Sequence, residues 1–259
     1  MGEIKMTERF EVTVPVPGGY EERYVYIYLP KSYFHQEERR YPVLYMFDGH
    51  NVFFDEDATY GKSWGMERYM DRSHTQMIIV AVECSHDPDN GRLKEYAPFS
   101  FRNPEVGEII GTGERTMDWF AYELKPSIDE SFRTLPGRNH TFIAGSSMGG
   151  LMSLYALMQY NHIYSRAAAL SPSLWTDPRK VKNMITRAKL DPHTILYMDY
   201  GSEEWKNHKG IRRLFGDVSS MLIQKGVLLN SRVVPYGEHC EASWERQIPF
   251  FMKTLLYRG

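Results

Sequence analysis

His140-Thr141-Phe142-Ile143-Ala144-Gly145-Ser146-Ser147-Met148-Gly149-Gly150-Leu151-Met152-Ser153-Leu154-Tyr155-Ala156-Leu157-Met158 is the stretch on which the fold is decided. Its first residues are short, apolar and β-prone, and its last are good helix formers without proline. Between them lies a G-x-S-x-G pattern, Gly145 to Gly149. Such strings arise by chance in many chains. A strand immediately before and a helix immediately after turn this one into a nucleophile elbow. A turn that tight demands nearly side-chain-free neighbours, which Gly145 and Gly149 supply. Ser147 then stands at a strained apex, with the free N–H groups of a helix N-terminus behind it.

Outward from the elbow, strands and helices alternate. Phe10 to Val16 and Tyr24 to Leu29 read as an antiparallel opening pair across Pro17-Gly18-Gly19. Val43 to Phe47 and Met77 to Glu83 are continuous apolar runs, the mark of strands buried on both faces. Thr116 to Phe132 has helical spacing, bent or restarted at Pro126. After the elbow come strand Arg166 to Leu170, helix Pro178 to Ala188 and strand Thr194 to Tyr200. Helix Lys209 to Lys225, strand Ser231 to Pro235 and helix Glu241 to Tyr257 close the chain. The pattern predicts a single α/β domain over residues 1–259, with a mostly parallel central sheet and helices on both faces. About twenty residues between Trp175 and Thr194 leave no room for a large lid domain.

Chemistry in such sheets collects at the carboxyl ends of the strands. There the sequence places Asp48-Gly49-His50-Asn51, then Ser147, then Gly201-Ser202-Glu203-Glu204, then Gly237-Glu238-His239. An anion-hole loop, a serine, an acid and a histidine thus follow in the chain order of α/β-hydrolases: nucleophile, acid, base. Of the nine histidines, His239 sits between the last strand and last helix, where the base belongs, and His208 is the runner-up. Three carboxylates crowd one strand end. Glu204, three residues past Gly201, is favoured as the acid because the chain turns sharply there. Asp199 and Glu203 stay as alternatives.

The run Leu124-Lys125-Pro126-Ser127-Ile128-Asp129, with Phe132-Arg133-Thr134-Leu135, Ala144 to Leu151 and Ser171-Pro172-Ser173-Leu174-Trp175, resembles the putative-esterase family of α/β-hydrolases. That family includes enterochelin-type siderophore esterases, feruloyl and acetyl xylan esterases of carbohydrate esterase family 1, S-formylglutathione hydrolase and the mycolyltransferases. Arg92 with Glu95-Tyr96-Ala97-Pro98 resembles a further family motif. The resemblance implies an α/β-hydrolase fold and a triad of Ser147, Glu204 and His239. It also implies an oxyanion hole from the backbone N–H groups of His50 and Met148. Many relatives carry aspartate where Glu204 stands, and some carry glutamate.

These parts imply acyl transfer to water through an acyl-enzyme, with no cofactor. The same triad would serve an acyltransferase. No H-E-x-x-H or zinc-spaced Cys/His cluster is present, so no metal is expected. Hydrophobic residues make up 42 % of the 259, and no run approaches the roughly 18 residues of a membrane span. A formal net charge of −2 gives no reason to expect nucleic acid or an anionic membrane as partner. The first six residues lack an apolar signal core, and the only cysteines are Cys84 and Cys240, so a cytoplasmic location with reduced thiols is expected. Oligomeric state leaves no trace in the sequence.

The long connection from Ser85 to Arg115 reads as irregular and functional. Arg92 and Tyr96 within it, with Trp64 and Trp175, are the candidate substrate-binding residues. Their aromatics suit a hydroxycinnamoyl or catecholate acyl group. Esters of short acyl or feruloyl groups, free or on oligosaccharides, are the expected substrates, with a siderophore trilactone as the alternative.

Overall fold

The computed structural model describes residues 6–206 and 210–257. The chain opens with β1 (Thr7–Val16) and β2 (Gly19–Tyr28), paired antiparallel across Pro17-Gly18. Next come β3 (Val43–Phe47), α1 (Met66–Ser73), β4 (Ile78–Val82), α2 (Gly91–Glu95), β5 (Phe101–Asn103) and β6 (Gly107–Ile109). They are followed by α3 (Gly113–Trp119), α4 (Lys125–Ser131), β7 (Thr141–Ser146), α5 (Met148–Gln159) and β8 (Arg166–Leu170). The remainder is α6 (Pro178–Arg187), β9 (Ile195–Gly201), α7 (Ile211–Gln224), β10 (Leu228–Val234), α8 (Glu241–Glu245) and α9 (Ile248–Leu255).

The strands assemble in the order β1-β2-β4-β3-β7-β8-β9-β10. From β4 to β10 every neighbouring pair is parallel, and β2 meets β4 antiparallel. This is the α/β-hydrolase architecture, with a mostly parallel sheet between helices and, among the described residues, no large additional lid domain. Side-chain alternation along β3 divides the core in two. Val43, Tyr45 and Phe47 face the α5 side, whereas Leu44 and Met46 face the α1 and α9 side. Both faces are covered, which is why these strands are apolar throughout. Ala167, Ala168 and Ala169 of β8 are small and wholly buried, and α5 packs directly over β7 and β8. Of α5, only Tyr155 and Gln159 are not buried.

Four elements depart from the sequence-based expectation. The helix expected over Thr116 to Phe132 is three pieces: α3, a wide π turn at Phe120–Leu124, and α4. Pro126 has no N–H and its ring would collide with a carbonyl one turn back, so the helix widens before it. The closing helix splits into α8 and α9, with Pro249 in the first turn of the second piece. The 85–115 connection is less irregular than expected, because it carries α2 and the β5–β6 hairpin. Helix α1 was not foreseen. It is one short amphipathic element held by Met66 and Met70.

The 85–115 segment is fastened to the sheet by a buried charge. The Arg23 guanidinium of β2 is fully enclosed and donates to Glu95 of α2 at 2.5 Å and to Glu21 at 2.6 Å. Glu95 also accepts the Ser85 N–H at 2.6 Å. Among the described residues no helix is long and apolar enough to cross a membrane.

The β7–α5 turn is the tightest point of the frame. A Cβ on Gly145 would lie 2.7 Å from the Gly149 backbone, where no flexible side chain can yield. Gly145→Ala is expected to destabilise the protein by about 1–3 kcal/mol through overpacking, read as a lowered Tm in thermal unfolding.

Candidate active site

Ser147 joins β7 to α5 with φ 58° and ψ −121°, a conformation that costs a non-glycine residue free energy and must be held from outside. The hold is visible on both sides of the turn. The Ser147 N–H donates to the Leu170 carbonyl at 2.9 Å, and the Ser147 carbonyl accepts from Ser173 N–H at 3.0 Å and Leu151 N–H at 3.0 Å. Met148 N–H, at the start of α5, has no acceptor within the helix.

The loops after β9 and β10 are zipped together below this apex. Ser202 N–H donates to Val234 O at 2.9 Å and Glu203 N–H to Gly237 O at 3.0 Å. A Cβ on Gly201 would sit 2.2 Å from the Gly237 carbonyl oxygen, so only glycine permits the approach. It brings Glu204 against His239. Glu204 Oε2 lies 2.7 Å from His239 Nδ1, and His239 Nε2 lies 2.9 Å from Ser147 Oγ. A carboxylate only accepts, so the hydrogen-bond pattern assigns the imidazole proton to Nδ1 and leaves Nε2 free to accept from the serine hydroxyl. The second Glu204 oxygen, Oε1, accepts from Gly201 N–H at 2.8 Å and Ser171 Oγ at 2.7 Å. The Trp244 ring walls the imidazole edge-on, with centroids 5.1 Å apart.

The other two carboxylates have different surroundings. Asp199 is wholly buried within β9 and accepts from Tyr197 Oη at 2.7 Å and Ser171 N–H at 3.2 Å. Burial pushes its carboxyl up to about 7 despite these hydrogen bonds. Glu203 faces outward and pairs with Lys206. His208 lies outside the described residues.

His50 sits in a short 3-10 turn at the end of β3, following Asp48 in left-handed conformation (φ 59°). Its ring contacts Thr59 Oγ1 at 3.0 Å, and burial lowers its pKa. Arg92 clamps this turn. Its Nε and Nη2 reach Asp48 Oδ1 and Oδ2 at 2.6 and 2.7 Å. Burial alone would push the Asp48 carboxyl up, yet the guanidinium beside it holds it below the usual range. Asp48 N–H donates to Tyr96 Oη at 3.2 Å, and the Asp48 carbonyl accepts from Asn51 N–H at 2.8 Å.

The expected aromatic wall needs correction. Tyr96 is buried beneath the turn against Phe47. Trp64 is buried between Trp244 and Phe251. Trp175 packs edge-on against Phe101 of the β5–β6 hairpin. Tyr96 and Trp64 are thus enclosed in the body and unavailable as a cleft wall, whereas Trp175 is half-buried. Arg92 does line the cleft around Ser147. The cleft has a volume of about 810 Å³, and its walls include His50, Tyr60, Lys62, His86, Glu241 and Trp244.

Asp48, His50 and Cys84 bring three potential metal ligands within 4.8 Å of one another. They do not fit a cation. Both Asp48 oxygens are taken by Arg92, whose charge would repel a metal. Burial and the Asp48 charge push the Cys84 thiol well up, away from the thiolate a metal requires.

Sequence reasoning gave no role to Asp48, Ser171, Ser173 or Trp244. Asp48 stood in plain view immediately before Gly49-His50. Ser171 and Ser173 carry no local signal of their own beyond the Ser171-Pro172-Ser173-Leu174-Trp175 resemblance. Trp244, five residues past His239, offered no motif.

The fold and this arrangement at the strand ends define an α/β-hydrolase. Residues 20–255 match the family described as Putative esterase, and the chain belongs to that esterase family. It is 25 % identical over 190 residues to protein YbbA of Bacillus subtilis, covering 72 % of this chain and 71 % of that one. It is 30 % identical over 151 residues to an esterase of Mycobacterium tuberculosis, covering 58 % of this chain but only 29 % of that longer protein. Among solved structures it is similar to a ferulic acid esterase, with TM-score 0.68, 18 % identity and 97 % and 98 % of the two chains covered. It is also similar to the siderophore hydrolase EstA of Aspergillus nidulans, with TM-score 0.72, 17 % identity and 98 % and 97 % covered.

The Arg92–Asp48 clamp has a signature in pH. Asp48, held below its ordinary pKa, contributes stability above its unfolded value and loses it as pH falls through the folded one. Arg92→Leu leaves that carboxylate buried without its partner. The expected loss at neutral pH is about 2–3 kcal/mol, shrinking toward acid as Asp48 takes up a proton. Urea unfolding at several pH values measures both.

Proposed function

We propose that this esterase is a serine carboxylic-ester hydrolase working through an acyl-enzyme, with Ser147 as nucleophile, His239 as base and Glu204 as the acid that orients it. The observation that carries this reading is the unbroken chain from Ser147 Oγ to His239 Nε2 at 2.9 Å and from His239 Nδ1 to Glu204 at 2.7 Å. Ser147 Oγ attacks the ester carbonyl carbon while its proton passes to His239 Nε2. The tetrahedral intermediate collapses, the C–O bond to the alcohol breaks, and the alcohol leaves with that proton. Water then repeats the sequence against the acyl-enzyme. Glu204 stabilises the imidazolium in both halves. The developing oxyanion is received by the backbone N–H groups of His50 and Met148, the first steadied by the Arg92–Asp48 clamp and the second by the helix start.

A cleft of about 810 Å³ exceeds what an acetyl group needs and falls in the range of sites for drug-sized ligands. It supports an acyl group up to the size of a hydroxycinnamoyl moiety together with part of an alcohol such as an oligosaccharide. The likeness to a ferulic acid esterase fits that reading. A siderophore trilactone is the second reading, favoured by the polar and charged cleft walls and by the likeness to a siderophore hydrolase. Rates on p-nitrophenyl esters of increasing length, methyl ferulate, acetylated xylan and a catecholate trilactone separate the two. Added alcohol acceptors reveal any transferase activity.

Ser147→Ala is expected to lower kcat by about six orders of magnitude, as in triads that act as a unit, and to abolish labelling by a fluorophosphonate. Glu204→Ala is expected to lower kcat about 10⁴-fold, while Glu203→Ala, whose carboxylate pairs with Lys206, stays close to the parent. A full loss at Glu203 in place of Glu204 reassigns the acid.

A further inference from the structure

We propose that Ser171, at the end of β8, is a positioning residue for the reaction, its hydroxyl fixing which oxygen of Glu204 faces His239. The inference rests on the triad reading above. Glutamate has one more rotatable bond than aspartate, so a glutamate that serves an imidazole needs its far oxygen held or it turns away. Glu204 Oε1 is held twice, by Gly201 N–H at 2.8 Å and by Ser171 Oγ at 2.7 Å.

The direction of the second bond is not free. Ser171 Oγ has one proton. Trp244 Nε1, an indole nitrogen that can only donate, approaches the same oxygen at 3.1 Å. The serine oxygen therefore accepts from Trp244 and gives its own proton to Glu204. Trp244 thus acts at both ends of the acid–base pair, since its ring also stands edge-on to His239.

The backbone adds a second observation. Ser171 has φ 43°, a region in which glycine is at ease and serine is not. Its N–H is held by Asp199 O at 3.0 Å and Asp199 Oδ1 at 3.2 Å. Asp199 in turn is secured by Tyr197 Oη at 2.7 Å and makes no ion pair among the described residues. The strained serine that touches Glu204 is thus held from the other side by a buried carboxylate. Glycine would satisfy that backbone, so what serine adds there is the hydroxyl.

Ser171→Gly separates the two roles, because it relieves the backbone and removes the donor. With an ester substrate, kcat is expected to fall about tenfold to a hundredfold, with KM unchanged and Tm near that of the parent. Trp244→Phe keeps an aromatic ring beside His239 while removing the N–H along with part of the indole; it is expected to lower kcat a few-fold by letting the serine proton turn elsewhere. The double variant then loses no more than Ser171→Gly alone, because the two act through one hydrogen bond. Parental kcat in both single variants, a rise in KM in place of the fall in kcat, or losses that multiply in the double variant would each overturn the proposal. Ser147→Ala measured alongside keeps the two levels apart. If it retains hydrolysis, the triad reading fails and this inference with it; if it is inactive while Ser171→Gly is fully active, only the inference fails.

Discussion

Between Gly145 and Gly149 the backbone of a strand and that of the following helix come so close that a single methyl group would stand 2.7 Å from main-chain atoms. Much else follows from that contact. It bends the chain sharply enough to push Ser147 to φ 58°, and it aims the start of α5 at the space above the sheet. The three small residues of β8 beside it, Ala167 to Ala169, let the helix settle onto the strands. The strain at the apex is local, while the burial that maintains it extends along nearly the whole of α5.

Around that apex the protein buries charge, which is costly unless each group is paired and hydrogen-bonded. Three solutions appear side by side. Arg92 and Asp48 form a two-pronged ion pair that fixes the turn bearing His50. Arg23 and Glu95 fasten the segment that supplies Arg92. Asp199 has only neutral donors and is pushed toward its protonated form. The first two hold backbone in place through charge. The third holds Ser171 through hydrogen bonds to groups that stay neutral. Together they fix the turns around Ser147, which is the preorganisation that oxyanion stabilisation requires.

The correction to the aromatic residues follows from the same packing logic. Trp64, Tyr96 and Trp175 were candidates for contact with substrate because they are large and lie near the relevant segments. In the folded chain each finds a ring or aliphatic neighbour in the body. The cleft walls include histidines, Lys62, acidic groups, the exposed Tyr60 and Trp244.

Sequence alone determined the order of the strands' chemistry. Alternation of apolar runs with helical spacing specified a parallel sheet, and Gly145-Ser146-Ser147-Met148-Gly149 specified the tight turn. The rule that functional groups gather at the carboxyl ends of strands then pointed to Ser147 and His239 as candidates, and to Glu204 as the favoured of three acids beside Asp199 and Glu203. These features are local, a matter of what a few consecutive residues can adopt, and so they are legible in one dimension. Tertiary structure alone decided which of three neighbouring carboxylates meets the imidazole. It also decided that Arg92 grips Asp48 and that Ser171 and Trp244 meet beneath Glu204. Those outcomes depend on contacts between residues 33 to 73 positions apart, where a few tenths of an ångström separate a hydrogen bond from none.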